Sequence, residues 1–139
     1  MPHFIIDCSA NTLTKVAESK ILTTVFNATQ ASNLFAEEDI KVRLNPYVRY
    51  EVGSKMADFI HVFGYILEGR THEQITNLSQ RIVKSLVDLF PDVEFVASRC
   101  RVHRFECGHH SAHGAALPLH PVGQVRNSRV LHQGGPVAE

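Results

Sequence analysis

The sequence lacks the features on which several classes of protein depend. Its 139 residues include no tryptophan and only three cysteines, an odd number without C-x-x-C spacing, which argues against a disulfide framework. No run of about 18 apolar residues is present, so we predict no membrane span. No basic segment precedes the first apolar stretch, as it would in a signal peptide. These absences together predict a cytoplasmic protein with reduced thiols.

The sequence also has no excess of either charge. Fourteen Lys and Arg residues balance fourteen Asp and Glu residues. Because proteins that bind nucleic acid through its phosphates are strongly basic, we expect no nucleic-acid partner. The hydrophobic fraction of 44% is typical of a folded domain with its own core.

Composition divides the chain into two parts. After Phe105 the sequence contains no aromatic residue and no isoleucine, and it is rich in His, Gly, Ala, Pro and Val. Such a segment has little apolar surface to bury and cannot easily offset the entropy lost on ordering. We therefore predict a domain over residues 1–104 and a poorly ordered tail over residues 105–139.

The first half of the domain has the pattern of a βαβ unit. Residues 2–7 predict a short strand, and Ser9 and Asn11 are suited to capping the helix that follows. Apolar residues recur at helical spacing over residues 13–28, which predicts a single helix. Apolar and polar residues then alternate over residues 40–45, which predicts a strand that ends at Pro46.

The second half repeats this order. Residues 59–67 predict an apolar strand, and Thr71 with Gln74 forms a T-x-x-Q capping box. A regular apolar stripe over residues 75–89 predicts the second helix, and residues 93–97 predict the final strand. The halves share no residue-level identity, so the repeat is one of architecture only.

The fold class predicted from this order is α+β, with two βαβ units forming a four-stranded sheet and both helices on one face. A ferredoxin-like sandwich fits the same element order and is the alternative. Helices on one face leave the other face open. We expect Val62, Ile66 and Val96 to lie on that open face and to form a subunit interface in an oligomer.

Pro2 is the residue most suggestive of chemistry. Methionine before a small residue such as proline is normally removed, which would turn the Pro2 nitrogen from an amide into a secondary amine. An α-amino group titrates near ~8, and burial or nearby cations lower its pKa, so such an amine can act as a general base near neutral pH. The simpler interpretation is that Pro2 only begins an edge strand.

Residues 1–9, MPHFIIDCS, resemble the start of the 5-carboxymethyl-2-hydroxymuconate Δ-isomerases of the tautomerase superfamily. Residues 40–43, 56–58 and 69–71 resemble later segments of that family more weakly. The resemblance implies a tautomerase-like homotrimer that uses no cofactor. It also implies an isomerase of aromatic compound catabolism, in homoprotocatechuate degradation, acting on a small polycarboxylate with an amino-terminal proline as base.

The same resemblance implies the site residues. Pro2 matches the catalytic proline, and Arg70 matches an arginine that contacts a substrate carboxylate. Lys41 falls where the family has a second arginine, and Arg43 lies two residues farther on the same side of the strand, so both remain candidates. Cations would hold the carboxylates and stabilise charge on the reacting oxygen. The alternative is that Lys41, Arg43 and Arg70 are ordinary surface charges.

Two further functional classes remain open at this stage. One is a superfamily enzyme with another unsaturated acid as its substrate, and the other is a non-catalytic trimeric binding module of the same fold. His109, His110 and His113 are close enough in sequence to suggest a metal. We predict no metal site there, because the surrounding sequence offers no rigid framework.

Overall fold

Four strands and three helices make up the part of the chain that the computed structural model describes, residues 1–103. In chain order they are β1 (His3–Ser9), α1 (Thr12–Lys15), α2 (Glu18–Gln30), β2 (Lys41–Tyr47), β3 (Phe59–Leu67), α3 (His72–Leu89) and β4 (Phe95–His103). A single 3₁₀ turn, Glu37–Asp39, leads into β2. In this region no helix combines the length and apolar character needed to cross a membrane. The predicted tail and its three histidines lie outside it.

The sheet confirms the predicted α+β architecture. Its strand order is β2-β1-β3-β4, with β1 parallel to β2, β3 parallel to β4, and the two central strands antiparallel. Each βαβ unit therefore contributes two neighbouring strands. In a ferredoxin-like sheet another strand lies between the two strands of each βαβ unit. The ferredoxin-like alternative is therefore wrong.

Both long helices pack on one face of the sheet and enclose the core. Alternate residues of β1 and β3 point toward the helices, and each helix turns one apolar face, with residues about one turn apart, toward the sheet. Burying an aliphatic or aromatic side chain of this size contributes roughly 1.5–3 kcal/mol. The fully buried large side chains are Phe4, Ile6, Ile21, Val25, Ile60, Val62, Ile66, Leu78, Ile82, Leu86, Val93 and Val96.

The assignment of Val62, Ile66 and Val96 to the open face of the sheet is therefore wrong. Val62, Ile66 and Val96 are at most 2% exposed and belong to the core beneath the helices. Their neighbours along the strands, such as Phe63 and Tyr65, lie on the open face instead. Because side chains alternate with a period of two, an error of one position assigns every residue of a strand to the wrong face.

Two element boundaries differ from the predictions for physical reasons. The first helical segment is broken at Val16 and Ala17, whose extended backbones separate α1 from α2. Pro46 does not end β2 but lies within it, paired with Cys8. Since β2 is an edge strand, a proline without an N–H is tolerated there. The final strand extends beyond the predicted residues to His103.

Capping is confirmed for α3 and wrong for α1. Thr71 Oγ1 accepts a hydrogen bond from the Gln74 N–H, and Gln74 Oε1 accepts one from the Thr71 N–H, which completes the capping box. By contrast, the Ser9 and Asn11 side chains both donate to the carboxylate of Asp58, 3.0 Å away in each case. They join the segment before β3 to the end of β1.

Candidate active site

One end of the sheet brings together the start of β1, the start of β2 and the segment after β3. The Lys41 N–H donates to the carbonyl of Pro2 at 3.1 Å, which fixes the two chain segments side by side. On the other side of β1, the Glu68 N–H donates to the carbonyl of His103 at 3.2 Å. We call this end, with Pro2, Lys41 and Arg70, the Pro2 corner.

Pro2 itself is buried, whereas Met1 is 56% exposed. The pairing of β1 with β2 and β3 begins at His3, so Pro2 lies just before the strand and is anchored through its carbonyl. The Lys41 Nζ atom lies 3.8 Å from the Met1 Sδ atom. The ammonium group is therefore directed toward the start of the chain.

Lys41 and Arg43 lie on the open face, opposite His3 and Ile5 of β1. Arg43 Nη2 is 3.1 Å from His3 Nδ1. The pKa of His3 is lowered by partial burial, and then by the positive charges of Arg43, Lys41 and the amino terminus. Lys41 and Arg43 therefore place two positive charges beside His3 on this face of the sheet.

Arg70 lies at the same end of the molecule but already has several contacts. It follows Gly69, whose φ of +105° suits glycine, and precedes the first turn of α3. Its guanidinium donates to the carbonyl of Leu34 at 3.0 Å and, at 3.4 Å, to those of Leu67 and Glu68. The Arg70 Cζ atom also lies 4.8 Å from the centroid of the Phe35 ring. These contacts hold the segment after α2 against the segment after β3.

The structure therefore places the four predicted site residues at one end of the domain, with two different surroundings. Lys41 and Arg43 share a face and a local charge, while Arg70 contacts backbone carbonyls. Two further arginines that were not among the predicted site residues, Arg99 and Arg101, lie on the open face of β4 beside Phe63 and Tyr65. Their i, i+2 spacing is a usable signal in the sequence, but the final strand was predicted only over residues 93–97, and both arginines lie beyond it.

Cysteine and metal chemistry find no support within residues 1–103. Cys8 and Cys100 are both buried free thiols, and burial raises the pKa of each, which disfavours the reactive thiolate. Across these same residues, no three His, Cys, Asp or Glu side chains are grouped so that they could hold a metal ion.

Comparison with known proteins identifies the family. A family model described as 5-carboxymethyl-2-hydroxymuconate isomerase matches residues 2–101. The chain belongs to the 5-carboxymethyl-2-hydroxymuconate isomerase family. Membership in this isomerase family supports an enzyme with an isomerase- or tautomerase-type activity. No curated protein sequence matches the chain.

Solved structures show that the fold is that of the tautomerases. A crystal structure of 5-carboxymethyl-2-hydroxymuconate δ-isomerase is similar with a TM-score of 0.64 and 14% identity, over 82% of this chain and 89% of that one. A fused 4-OT symmetric trimer gives 0.63 and 16%, over 73% and 85%. A member of the cis-3-chloroacrylic acid dehalogenase family gives 0.56 and 15%, over 84% and 83%. At these identities the likeness concerns the fold.

Proposed function

We propose that this isomerase-family chain moves a proton within an unsaturated hydroxy-polycarboxylate such as 5-carboxymethyl-2-hydroxymuconate, with Pro2 as the general base. The observation that carries the proposal is the Pro2 corner, where the backbone of a buried proline is hydrogen-bonded to that of Lys41. Arg43 adds a second cation nearby, 3.1 Å from the ring of His3. The family match, which begins at residue 2, and the resemblance of residues 1–9 both support the role of the proline.

Removal of Met1 is the step that would create the base. With Met1 attached, the Pro2 nitrogen is an amide without basic character. Once Met1 is cleaved, the nitrogen becomes a secondary amine. The nearby cation is the ammonium group of Lys41, which lies 3.8 Å from the Met1 sulfur while Met1 is still attached. Neighbouring positive charge favours the neutral amine and so lowers its pKa toward the working pH.

The proposed reaction balances as a transfer of one proton. The neutral Pro2 amine accepts the proton of the substrate enol, and the electron pair moves into the conjugated chain as a dienolate. The protonated amine then returns the proton to a carbon of that chain. Lys41 and Arg43 hold carboxylates and stabilise the charge on the oxygen. Arg70 is proposed to add a further contact with a carboxylate.

We further propose that the working form is a homotrimer. Related folds among the solved structures include proteins described as symmetric trimers. The open face of the sheet carries partly exposed large side chains, among them Phe95 at 41% exposed. Sizing of the purified protein by light scattering tests this, and a monomer at micromolar concentration would contradict it.

Pro2→Ala is the central test of catalysis. A well-placed general base contributes roughly 10²–10⁴-fold to rate, so we expect kcat to decrease by a factor in that range. The primary amine of the alanine is expected to support the residual activity. Pro46→Ala is the matched control, because Pro46 is exposed on β2 and away from the corner. Disappearance of the dienol absorbance measures both variants.

A second variant keeps the proline ring but removes the free amine, so it tests whether the amine is required. Insertion of a lysine between Met1 and Pro2 blocks removal of the methionine and keeps the Pro2 nitrogen in a peptide bond. Intact mass verifies the state of each protein. Full turnover by the insertion variant, or by wild-type protein that keeps Met1, would exclude the proline base. No turnover by any protein on a panel of unsaturated acids, including 3-chloroacrylate, would favour a non-catalytic trimer.

A further inference from the structure

Arg70 contacts a stack of two phenylalanine rings that the proposed reaction does not use. The Arg70 Cζ atom lies over the Phe35 ring, 4.8 Å from its centroid. Phe35 in turn meets Phe4 in a T-shaped contact, with ring centroids 6.4 Å apart and planes at 71°. Phe4 lies two positions after Pro2, on β1. Phe35 therefore connects the guanidinium of Arg70 to the start of the strand that follows Pro2.

The Phe4 ring at the base of this stack is tightly packed in the core. It is fully buried, and Phe4 lies opposite Gly64 in the pairing of β1 with β3. A Cβ atom at Gly64 would be 2.9 Å from Phe4 Cε1, so the ring packs directly against the backbone of β3. Phe35 is half-buried and packs against this core. A ring that contacts so closely packed a neighbour has little freedom to change its position.

Leu34 and Phe35 together hold the guanidinium of Arg70 on its face and on its edge. The Phe35 ring contacts the face, and the Leu34 carbonyl accepts a hydrogen bond from Nη2 at 3.0 Å. Two longer contacts join Nη1 to the carbonyls of Leu67 and Glu68. All three acceptors are neutral, so they orient the guanidinium without neutralising its charge. A guanidinium has five N–H donors and none of these contacts uses Nε, so donors remain for a ligand.

An arginine that is held in place before a ligand arrives binds that ligand more tightly. A flexible arginine loses rotamer freedom when it closes on a carboxylate, and an arginine already fixed in one position loses less. Immobilisation of one such side chain corresponds to about 2–10-fold in affinity. Phe35 is therefore placed to influence ligand binding through Arg70 without touching the ligand.

We propose that Phe35 is a positioning residue for Arg70, and that it holds the guanidinium ready for one carboxylate of an unsaturated polycarboxylate. This role rests on the proposed function, which assigns that carboxylate contact to Arg70. The simpler interpretation is that Phe35 only fills space in the core beside Phe4. The two interpretations differ in whether the effect of losing the Phe35 ring depends on the presence of Arg70.

The test measures the binding of trans,trans-muconate to the native, assembled protein by isothermal titration calorimetry. This conjugated dicarboxylate has no enol hydroxyl, so the proposed proton transfer does not consume it. Phe35→Leu should weaken binding about 2–10-fold, and Phe35→Tyr, which keeps the ring, should bind like the wild type. Phe26→Leu is the matched control, because Phe26 is a half-buried ring of α2 that packs against the same core. The control should change the Kd less than twofold.

A double-mutant cycle separates positioning from packing. Arg70→Gln should weaken binding at least tenfold, because it removes charge-assisted hydrogen bonds to the carboxylate. Adding Phe35→Leu to Arg70→Gln should cause no further loss, because the residue that Phe35 positions is then absent. Circular dichroism verifies that each variant is folded, and Phe35→Met replaces Phe35→Leu if the leucine variant is unfolded.

The possible outcomes distinguish the role of Phe35 from that of Arg70. If Phe35→Leu binds like the wild type while Arg70→Gln binds weakly, the positioning role is overturned and the carboxylate contact of Arg70 stands. Equal losses for Phe35→Leu and Phe26→Leu, or additive losses in the double variant, would assign Phe35 to packing alone. Unchanged binding by Arg70→Gln, or no saturable binding to the wild type, would refute the carboxylate contact and the positioning role with it. Because turnover is not measured, a failure of Pro2 as the base would change none of these results.

Discussion

Asp58 is expected to be the most important surface carboxylate for stability in residues 1–103. It receives the Lys15 ammonium at 2.7 Å and the Ser9 hydroxyl and Asn11 amide at 3.0 Å each. Its side chain is 15% exposed, and Ser9 is fully buried. We therefore predict that Asp58→Ala lowers the free energy of unfolding by about 3 kcal/mol.

That magnitude follows from the unequal surroundings of the three donors. Ser9 loses a hydrogen bond to a charged acceptor, and its buried hydroxyl keeps only the long bond that it accepts from the Phe59 N–H at 3.4 Å. The hydroxyl donor is then unsatisfied, which costs about 2 kcal/mol. The Lys15 side chain is 38% exposed and Asn11 is exposed, so water screens and replaces these contacts at a cost of about 0.5 kcal/mol each.

The matched control is Asp88→Ala on α3. Asp88 pairs with Lys84 at 3.0 Å, but the side chains are 58% and 79% exposed. This i, i+4 pair is expected to contribute about 0.3–0.5 kcal/mol. Urea unfolding at equal protein concentrations, followed by circular dichroism because the chain has no tryptophan, measures both variants. Equal losses for the two variants would refute the importance of burial.

The pH dependence of stability tests independently whether the stabilisation comes from the ionised form of Asp58. Burial favours the neutral form of Asp58, but hydrogen bonds from Lys15, Ser9 and Asn11 outweigh it, so the pKa is lowered in the folded protein. In the unfolded chain it titrates near ~3.9. The stabilisation is therefore complete above that pH and is lost as the pH falls through the folded-state pKa. A difference between wild type and Asp58→Ala that stays constant down to pH ~2 would exclude the charged form as its source.

Three smaller predictions concern the contacts around the core and the Pro2 corner. Gly64→Ala would place a Cβ atom 2.8 Å from Cys100 Sγ and 2.9 Å from Phe4 Cε1, so we expect a loss of about 1–3 kcal/mol in urea unfolding. Thr71→Ala removes the capping acceptor of α3 and should cost about 1 kcal/mol by the same measurement. Arg70→Lys cannot serve three carbonyls in the same geometry, so unfolding free energy should fall by about 1–2 kcal/mol even without substrate.

Each of these has a companion variant. Cys100→Ala should recover part of the loss in the Gly64→Ala background, because it removes one of the two clashing atoms. Thr71→Ser keeps the hydroxyl acceptor and should remain within 0.5 kcal/mol of wild type, roughly half the loss expected for the alanine variant. Arg81→Lys, on the exposed face of α3, should have no effect. If Arg70→Lys proves as harmless as Arg81→Lys, the carbonyl contacts do not stabilise the domain.

The sequence predicted those parts of the fold that depend on local patterns. The strand Phe59–Leu67 has the predicted bounds, and the Thr71–Gln74 capping box is confirmed. Both depend on residues that are neighbours in the chain. Helix α1 and its separation from α2 were missed, because Leu13, Val16 and Ala17 continue the apolar spacing across a point where the backbone is extended.

The face of each strand was predicted less well, for a reason visible in β3. Its sequence, FIHVFGYIL, has apolar residues on both faces, so no alternation distinguishes the face that meets the helices. Tertiary packing decides which face of β3 is buried. Val62 and Ile66 lie under the helices, and Phe63 and Tyr65 lie on the open face. Contacts between distant residues, such as Arg70 with the Leu34 carbonyl, are likewise not contained in any local pattern.

Strand register also explains how a chain without net charge acquires strongly cationic regions. Lys41 and Arg43 follow one edge of the open face, and Arg99 and Arg101 follow the other. Alternation places each pair on one face, and the strand order separates the pairs. Within residues 1–103, the acidic residues lie outside the strands, apart from Asp7. A sequence with no net charge therefore has two local concentrations of positive charge, one at each edge of the open face.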